Sequence, residues 1–190
     1  MPARSLSRRS LIGGMAAIVG LSSGSASSRE TVLELMRQGG LLLFMRHANA
    51  PGIGDPGSFQ VDDCSTQRNL SRAGRDQAIA VGERLRREGV RWQSVQSSRW
   101  CRCLDTARLA FGAAEPFDLL NSSFAGRPDL TPALRAHLLA LPRAGANRIY
   151  VTHMVNIMRL LDVNTADAEM VLARATGESL KTLGTLRPPA

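Results

Sequence analysis

The chain has 190 residues, with 24 Lys plus Arg against 16 Asp plus Glu and a formal net charge of +8. Its length suits one compact domain, and 44% hydrophobic with 21% charged residues excludes a disordered or fibrous chain. No apolar run approaches the roughly 18–20 residues of a stable bilayer anchor. The basic excess is nearly all arginine, Lys181 being the one lysine, and carries little weight as a sign of nucleic-acid binding. The cluster Arg84, Arg86 and Arg87 reads as an exposed helix face, since no aromatic residues interleave with it.

Residues 1–26 read as an address rather than as fold. Arg4, Arg8 and Arg9 form a positive region, Leu11 to Leu21 a short apolar one, and Gly24-Ser25-Ala26 offers the small residues of a cleavage site. Ser7-Arg8-Arg9-Ser10-Leu11-Ile12 is similar to a twin-arginine export signal. Residues 27–190 are then the mature domain, expected in a bacterial periplasm or secreted, with no membrane anchor after cleavage. Outside the cytoplasm disulfides persist. Cys64 is expected to pair with Cys101 or Cys103, with a three-cysteine metal site or three buried thiols as rival readings.

Along the mature chain, Thr31–Gln38 predicts a short helix and Leu41–Met45 a strand buried on both faces, ending at Arg46-His47-Ala48. A polar Gly/Pro/Asp loop runs from Asn49 to Asn69. Ser71 caps a helix over Arg72–Glu88, stopped by Gly89. Val90–Gln96 predicts a second strand, followed by a helix from near Trp100. Phe117–Leu120 reads as a short strand, Leu130–Leu141 as a helix with Pro132 in its first turn, and Arg148–Thr152 as a strand ending at His153. Segments Glu169–Ala173 and Leu180–Leu186 flank Thr176-Gly177 as a hairpin. Strands alternating with helices give one α/β domain with a largely parallel sheet.

In such sheets the carboxyl ends of the strands line the ligand crevice. His47 and His153 each follow a buried strand, Arg46 adjoins the first, and Arg102 lies in or near the first turn of the helix after the second strand. The expected rim holds two imidazoles and two guanidiniums, with no carboxylate in the immediate motifs. Such a rim suits a phosphoryl group: guanidinium forks pair with phosphate oxygens, and neighbouring cations keep an imidazole unprotonated and nucleophilic.

Four blocks then carry a resemblance: Arg46-His47-Ala48, Leu70 to Ala78, Ser97-Ser98-Arg99-Trp100-Cys101-Arg102 with Thr106-Ala107, and Val151-Thr152-His153. In this order, over roughly Leu41 to Ile157, they resemble the histidine phosphatase (phosphoglycerate-mutase-like) superfamily. The resemblance implies a three-layer α/β sandwich with a mainly parallel sheet flanked by helices. It also implies a nucleophile at His47, phosphate contacts from Arg46 and Arg102, and His153 as second pocket histidine. The family's Gly after the first histidine is Ala48 here, at a cost of about 1 kcal/mol or more if that position needs φ > 0. Its Ser-Ser-Pro is Ser-Ser-Arg99, with Arg99 expected in solvent.

Many members protonate the leaving group with a carboxylic acid after the Arg-bearing helix, and compact phosphohistidine phosphatases lack it. Among Glu115, Asp118 and Asp129, Asp118 is the candidate by position. Arg68 and Asn69 are candidate contacts to phosphate or substrate. The sequence therefore predicts an exported phosphatase, with no metal and no cofactor, acting on a phosphorylated small molecule or phosphoprotein through a phosphohistidine. A non-catalytic phospholigand-binding protein of the same fold and a phosphomutase are the alternatives.

Overall fold

The computed structural model describes Met1 and residues 24–189. The expected export signal therefore lies outside the described residues apart from Met1 and its last three, which open the first helix. Helix α1 spans Gly24–Gln38, seven residues longer at its start than the apolar pattern predicts. Strand β1 (Leu42–Arg46) follows, then the long loop, α2 (Arg72–Arg87), β2 (Trp92–Ser97) and α3 (Cys101–Phe111). After β3 (Glu115–Pro116) come α4 (Thr131–Ala140), β4 (Asn147–Thr152), α5 (Met154–Leu161), β5 (Met170–Thr176) and β6 (Ser179–Leu186).

The strands form one sheet in the order β3-β2-β4-β1-β5-β6. The first four run parallel, and β5 and β6 add an antiparallel hairpin to the β1 side. The mainly parallel α/β sheet is as expected. Helices cover both faces because β1 is apolar at every position but the last. Leu41, Leu43 and Met45 pack with Val32, Met36, Val81 and Leu85 of α1 and α2, while Leu42 and Phe44 pack with Leu134, Leu138 and Ile157 of α4 and α5. Side chains alternate across a strand, so one continuous apolar run serves two cores.

Two local expectations change. The predicted strand Phe117–Leu120 is a two-residue strand at Glu115–Pro116 followed by a 3-10 turn over Asp118–Leu120. The Phe117 N–H still donates to Ser97 O, after which the chain turns so that Leu120 enters the second core. Helix α5, unread in the sequence, buries Asn156, Ile157, Leu160 and Leu161 along one side.

The Ser71 block positions the segment after His47. Ser71 Oγ accepts from Gly74 N–H as the cap of α2 and donates to Asn49 Oδ1, while Gln77 Oε1 accepts from Asn49 N–H. A Cβ at Gly74 would stand 2.0 Å from the Asn49 carbonyl oxygen, with the Asn49 carbonyl carbon and nitrogen at 2.9 and 3.0 Å. Gly74→Ala is therefore expected to cost about 2 kcal/mol or more in denaturant unfolding despite alanine's higher helix propensity. Gly57→Ala, whose Cβ would meet nothing within 4 Å, is the matched control and should change stability little.

Candidate active site

The parallel pairing of β1 and β4 sets Arg46 opposite Thr152. His47 and His153 leave adjacent strands side by side, their rings edge-on with centroids 5.5 Å apart. His47 is 3% exposed. Its Nδ1 lies 2.8 Å from the Ala48 carbonyl oxygen, and a carbonyl only accepts, so Nδ1 carries the hydrogen and Nε2 keeps the lone pair. Burial first, and then the charges of Arg102, Arg46 and Arg68, push the His47 imidazole down to about 3. Burial first, and then Arg102, His47, Arg68 and Arg127, push His153 well below its ordinary value, and its Nε2 lies 3.0 Å from Ser98 Oγ.

Ala48 has none of the positive φ that would require glycine; its N–H donates to Thr106 Oγ1, which donates to the Arg102 carbonyl oxygen four residues back. Thr106 thereby couples the segment after His47 to the helix that carries Arg102.

A cavity of about 450 Å³ opens at these strand ends, lined by Arg46, Arg68, Arg102, Arg127 and His153 among others. His47 is not itself part of the lining; its ring lies edge-on to that of His153, which is. Two carboxylates also line it, contrary to the expected rim. Asp55 grips Arg102 at 2.8 and 3.3 Å, with both side chains almost wholly buried, and also accepts from Trp100 Nε1. Burial would raise its carboxyl, but the bonds from Arg102 and Trp100 outweigh this and hold it below the usual carboxylate range. Asp167 pairs with Arg46 at 2.9 Å and accepts from Asn49. Even so, Nε of Arg46 and Nε of Arg102 remain buried without a protein partner. Two guanidinium donors are thus left for an anion.

Arg68, a candidate contact, is in the cavity wall, donating from Nε to Gly54 O. Asn69 is not: it is exposed and donates to the Cys64 carbonyl. Asp118 also falls outside. Its 3-10 turn sends Leu120 inward and leaves the Asp118 carboxylate 69% exposed, 3.8 Å from Arg99 and bonded to Asn121. Arg99 pairs with Asp62 and Asp118, away from the cavity. Cys64 joins Cys101, leaving Cys103 a free buried thiol that burial pushes up to about 12. Among the described residues no three His, Cys, Asp or Glu side chains gather as a metal site.

Asp55 had no sequence signal, lying in a Gly/Pro loop. Asp167 could be found only by knowing that β5 enters antiparallel beside β1, which brings the residues before β5 to the carboxyl end of β1.

No family model and no curated protein matches the chain. Solved structures do. The protein histidine phosphatase SixA complexed with tungstate matches at 16% identity and a TM-score of 0.55, covering 77% of this chain and 96% of its own. A putative alpha-ribazole-5'-P phosphatase from Escherichia coli matches at 14% and 0.59, covering 75% and 94%. A mycobacterial glucosyl-3-phosphoglycerate phosphatase with inorganic phosphate matches at 18% and 0.55, covering 79% and 95%. The chain has the histidine phosphatase fold.

An imidazole held neutral by burial has a pH signature. Between about 6.5, where a free histidine titrates, and about 3, the unfolded chain binds a proton at His47 that the folded chain refuses. Stability therefore falls as pH drops through that window and is unaffected by His47 above it. His47→Gln should flatten the acid limb of unfolding free energy by up to about 1.4 kcal/mol per pH unit. An unchanged limb would show that His47 titrates normally.

Proposed function

We propose that the chain is an exported phosphatase that hydrolyses a phosphomonoester or phosphoprotein through a phosphohistidine on His47, without a metal. The observation that carries this reading is the pair of buried, unpartnered guanidinium Nε donors of Arg46 and Arg102 beside two neutral imidazoles. The donors bind the phosphoryl oxygens. His47 Nε2 supplies its lone pair to phosphorus, the bond to the leaving oxygen breaks with its electrons, and the guanidiniums stabilise the equatorial oxygens. Water then attacks the phosphohistidine, releasing phosphate and restoring His47. The solved structures of like fold are phosphatases by their names, which supports the reading.

One observation favours a second reading. Both carboxylates in the cavity wall are tied to arginines, so neither is poised to protonate a leaving group. A phospholigand-binding protein with the same anion site needs no such acid.

Turnover separates the two. The mature protein should hydrolyse an aryl phosphate in excess EDTA, with competitive inhibition by vanadate, and His47→Ala should lose at least about a thousandfold in kcat. Vanadate binding without turnover would establish the binding protein, and full activity in His47→Ala would remove the assigned nucleophile.

Export rests on the Arg8-Arg9 block and the apolar run after it. The Cys64–Cys101 bridge supports it, since disulfides persist outside the cytoplasm. Protein recovered from the periplasm or medium should begin near Ser27, and replacing Arg8-Arg9 by Lys-Lys should retain it in the cytoplasm. Recovery of periplasmic protein with Met1 intact would exclude cleavage.

A further inference from the structure

The cavity has an apolar side that the phosphate chemistry does not use. Of the large apolar side chains left exposed among the described residues, Ile53 (93%), Phe124 (45%) and Met154 (40%) all line this one cavity. Ile53 is not loosely displayed. It sits between Gly52 and Gly54, both at positive φ, and Arg68 donates to the carbonyls on either side, Ala50 and Gly54. The next residue, Asp55, is locked onto Arg102. Phe124 lies against the base of this finger, its Cε1 within 3.6 Å of where a Gly54 Cβ would stand. The loop of Phe124 is fixed in turn by Arg127, which donates to the Phe124 carbonyl and stacks over Phe59 and Trp100 at 4.8 and 5.4 Å.

Arg46 and Arg102 line the same cavity, and each has a guanidinium Nε without a protein partner. A ligand with its phosphate there would set its ester group among Ile53, Phe124 and Met154. The carboxylates nearby are both engaged by arginines, so the ester oxygen has to depart without a carboxylic acid to protonate it. An alkoxide is a poor group to expel in that way. A phenol, which ionises at about pH 10, leaves readily as phenoxide, and its ring matches the apolar wall.

Resting on the phosphatase reading, we infer that the substrate is an aryl phosphate whose ring packs between Ile53 and Phe124. In the step, the bond from His47 Nε2 to phosphorus forms as the bond from phosphorus to the phenolic oxygen breaks. Phenoxide leaves with the electron pair and takes its proton from solvent, and water later cleaves the phosphohistidine.

The test compares 1-naphthyl phosphate, a phosphotyrosine peptide, glycerol 2-phosphate and a phosphoramidate on the mature protein. The inference expects kcat/KM for naphthyl phosphate to exceed that for glycerol 2-phosphate by about a hundredfold or more. Fast turnover of the peptide as well would make a protein side chain the source of the ring, and naphthyl phosphate alone would make it a small molecule. The double variant Ile53→Ser, Phe124→Ala should raise KM for naphthyl phosphate about tenfold while inhibition by inorganic phosphate stays within about twofold. Equal kcat/KM for aryl and alkyl esters, a phosphoramidate preferred over every aryl ester, or an unchanged KM in the double variant would overturn it.

Absence of turnover on all four compounds would count against the phosphatase reading instead. Dissociation constants by calorimetry then decide the apolar site on its own. Naphthyl phosphate should bind at least about tenfold tighter than inorganic phosphate and lose that margin in the double variant, and equal affinities would overturn the inference.

Discussion

The register of β1 against β4 is the constraint from which the site follows. Arg46 faces Thr152, and the His47 N–H donates to the Thr152 carbonyl, extending the ladder one step beyond the strand. The next residues out are therefore the two histidines. A slip of one residue would send one of them to the other side of the sheet. Such a slip is heavily opposed because β1 and β4 are sandwiched. Leu43, Met45, Ile149 and Val151 serve one core and Phe44 and Tyr150 the other, the last two stacked at 5.1 Å. Each such side chain contributes about 1.5–3 kcal/mol on burial, and a slip would misplace all of them together.

Bringing these strand ends together also concentrates positive charge. A buried arginine without a counter-ion costs several kcal/mol, and Arg102 is buried. Asp55 offsets it at 2.8 Å, as Asp167 does for Arg46 at 2.9 Å. Asp55 takes both terminal nitrogens of Arg102, and Asp167 and the Thr165 carbonyl take one each from Arg46, so that both Nε atoms are left without a protein partner. The cations are thus held in place without being used up. Burial, with Arg102 and Arg68 beside both rings, keeps the two imidazoles neutral. The carboxylates serve here as counter-ions, which is why the leaving group's own acidity matters for the reaction proposed.

What the sequence showed depended on whether local pattern decides structure. Apolar runs at Leu41–Met45 and Arg148–Thr152 were legible as buried strands, and so was the placement of the histidines that follow them. Arg102 was legible from its place just past the second strand, and Ser71 from its capping chemistry. Asp118 was placed in the cavity on chain position alone and lies outside it, because the burial of Leu120 two residues on decides which way the turn faces. Asn69 was misplaced for a similar reason: it closes its own loop onto Cys64 O. Asp55 and Asp167 were invisible, since each owes its position to a partner 47 or more residues away.

The first turn of α3 explains why the apolar side of the cavity was the least legible of all. Three successive residues, Trp100 before it and Cys101 and Arg102 in it, all hold the Asn49–Asn69 loop. Trp100 donates to Asp55, Cys101 bonds covalently to Cys64 and donates its N–H to Gln67, and Arg102 grips Asp55 and the Arg68 carbonyl. A Gly/Pro-rich segment with no pattern of its own thereby acquires a single shape from outside. Because Ile53 is two residues from Asp55, the apolar finger and the Arg102 guanidinium are held by the same clamp. A change in the loop backbone that moved the finger would also move the counter-ion of Arg102, whereas replacing the exposed Ile53 side chain leaves that clamp in place.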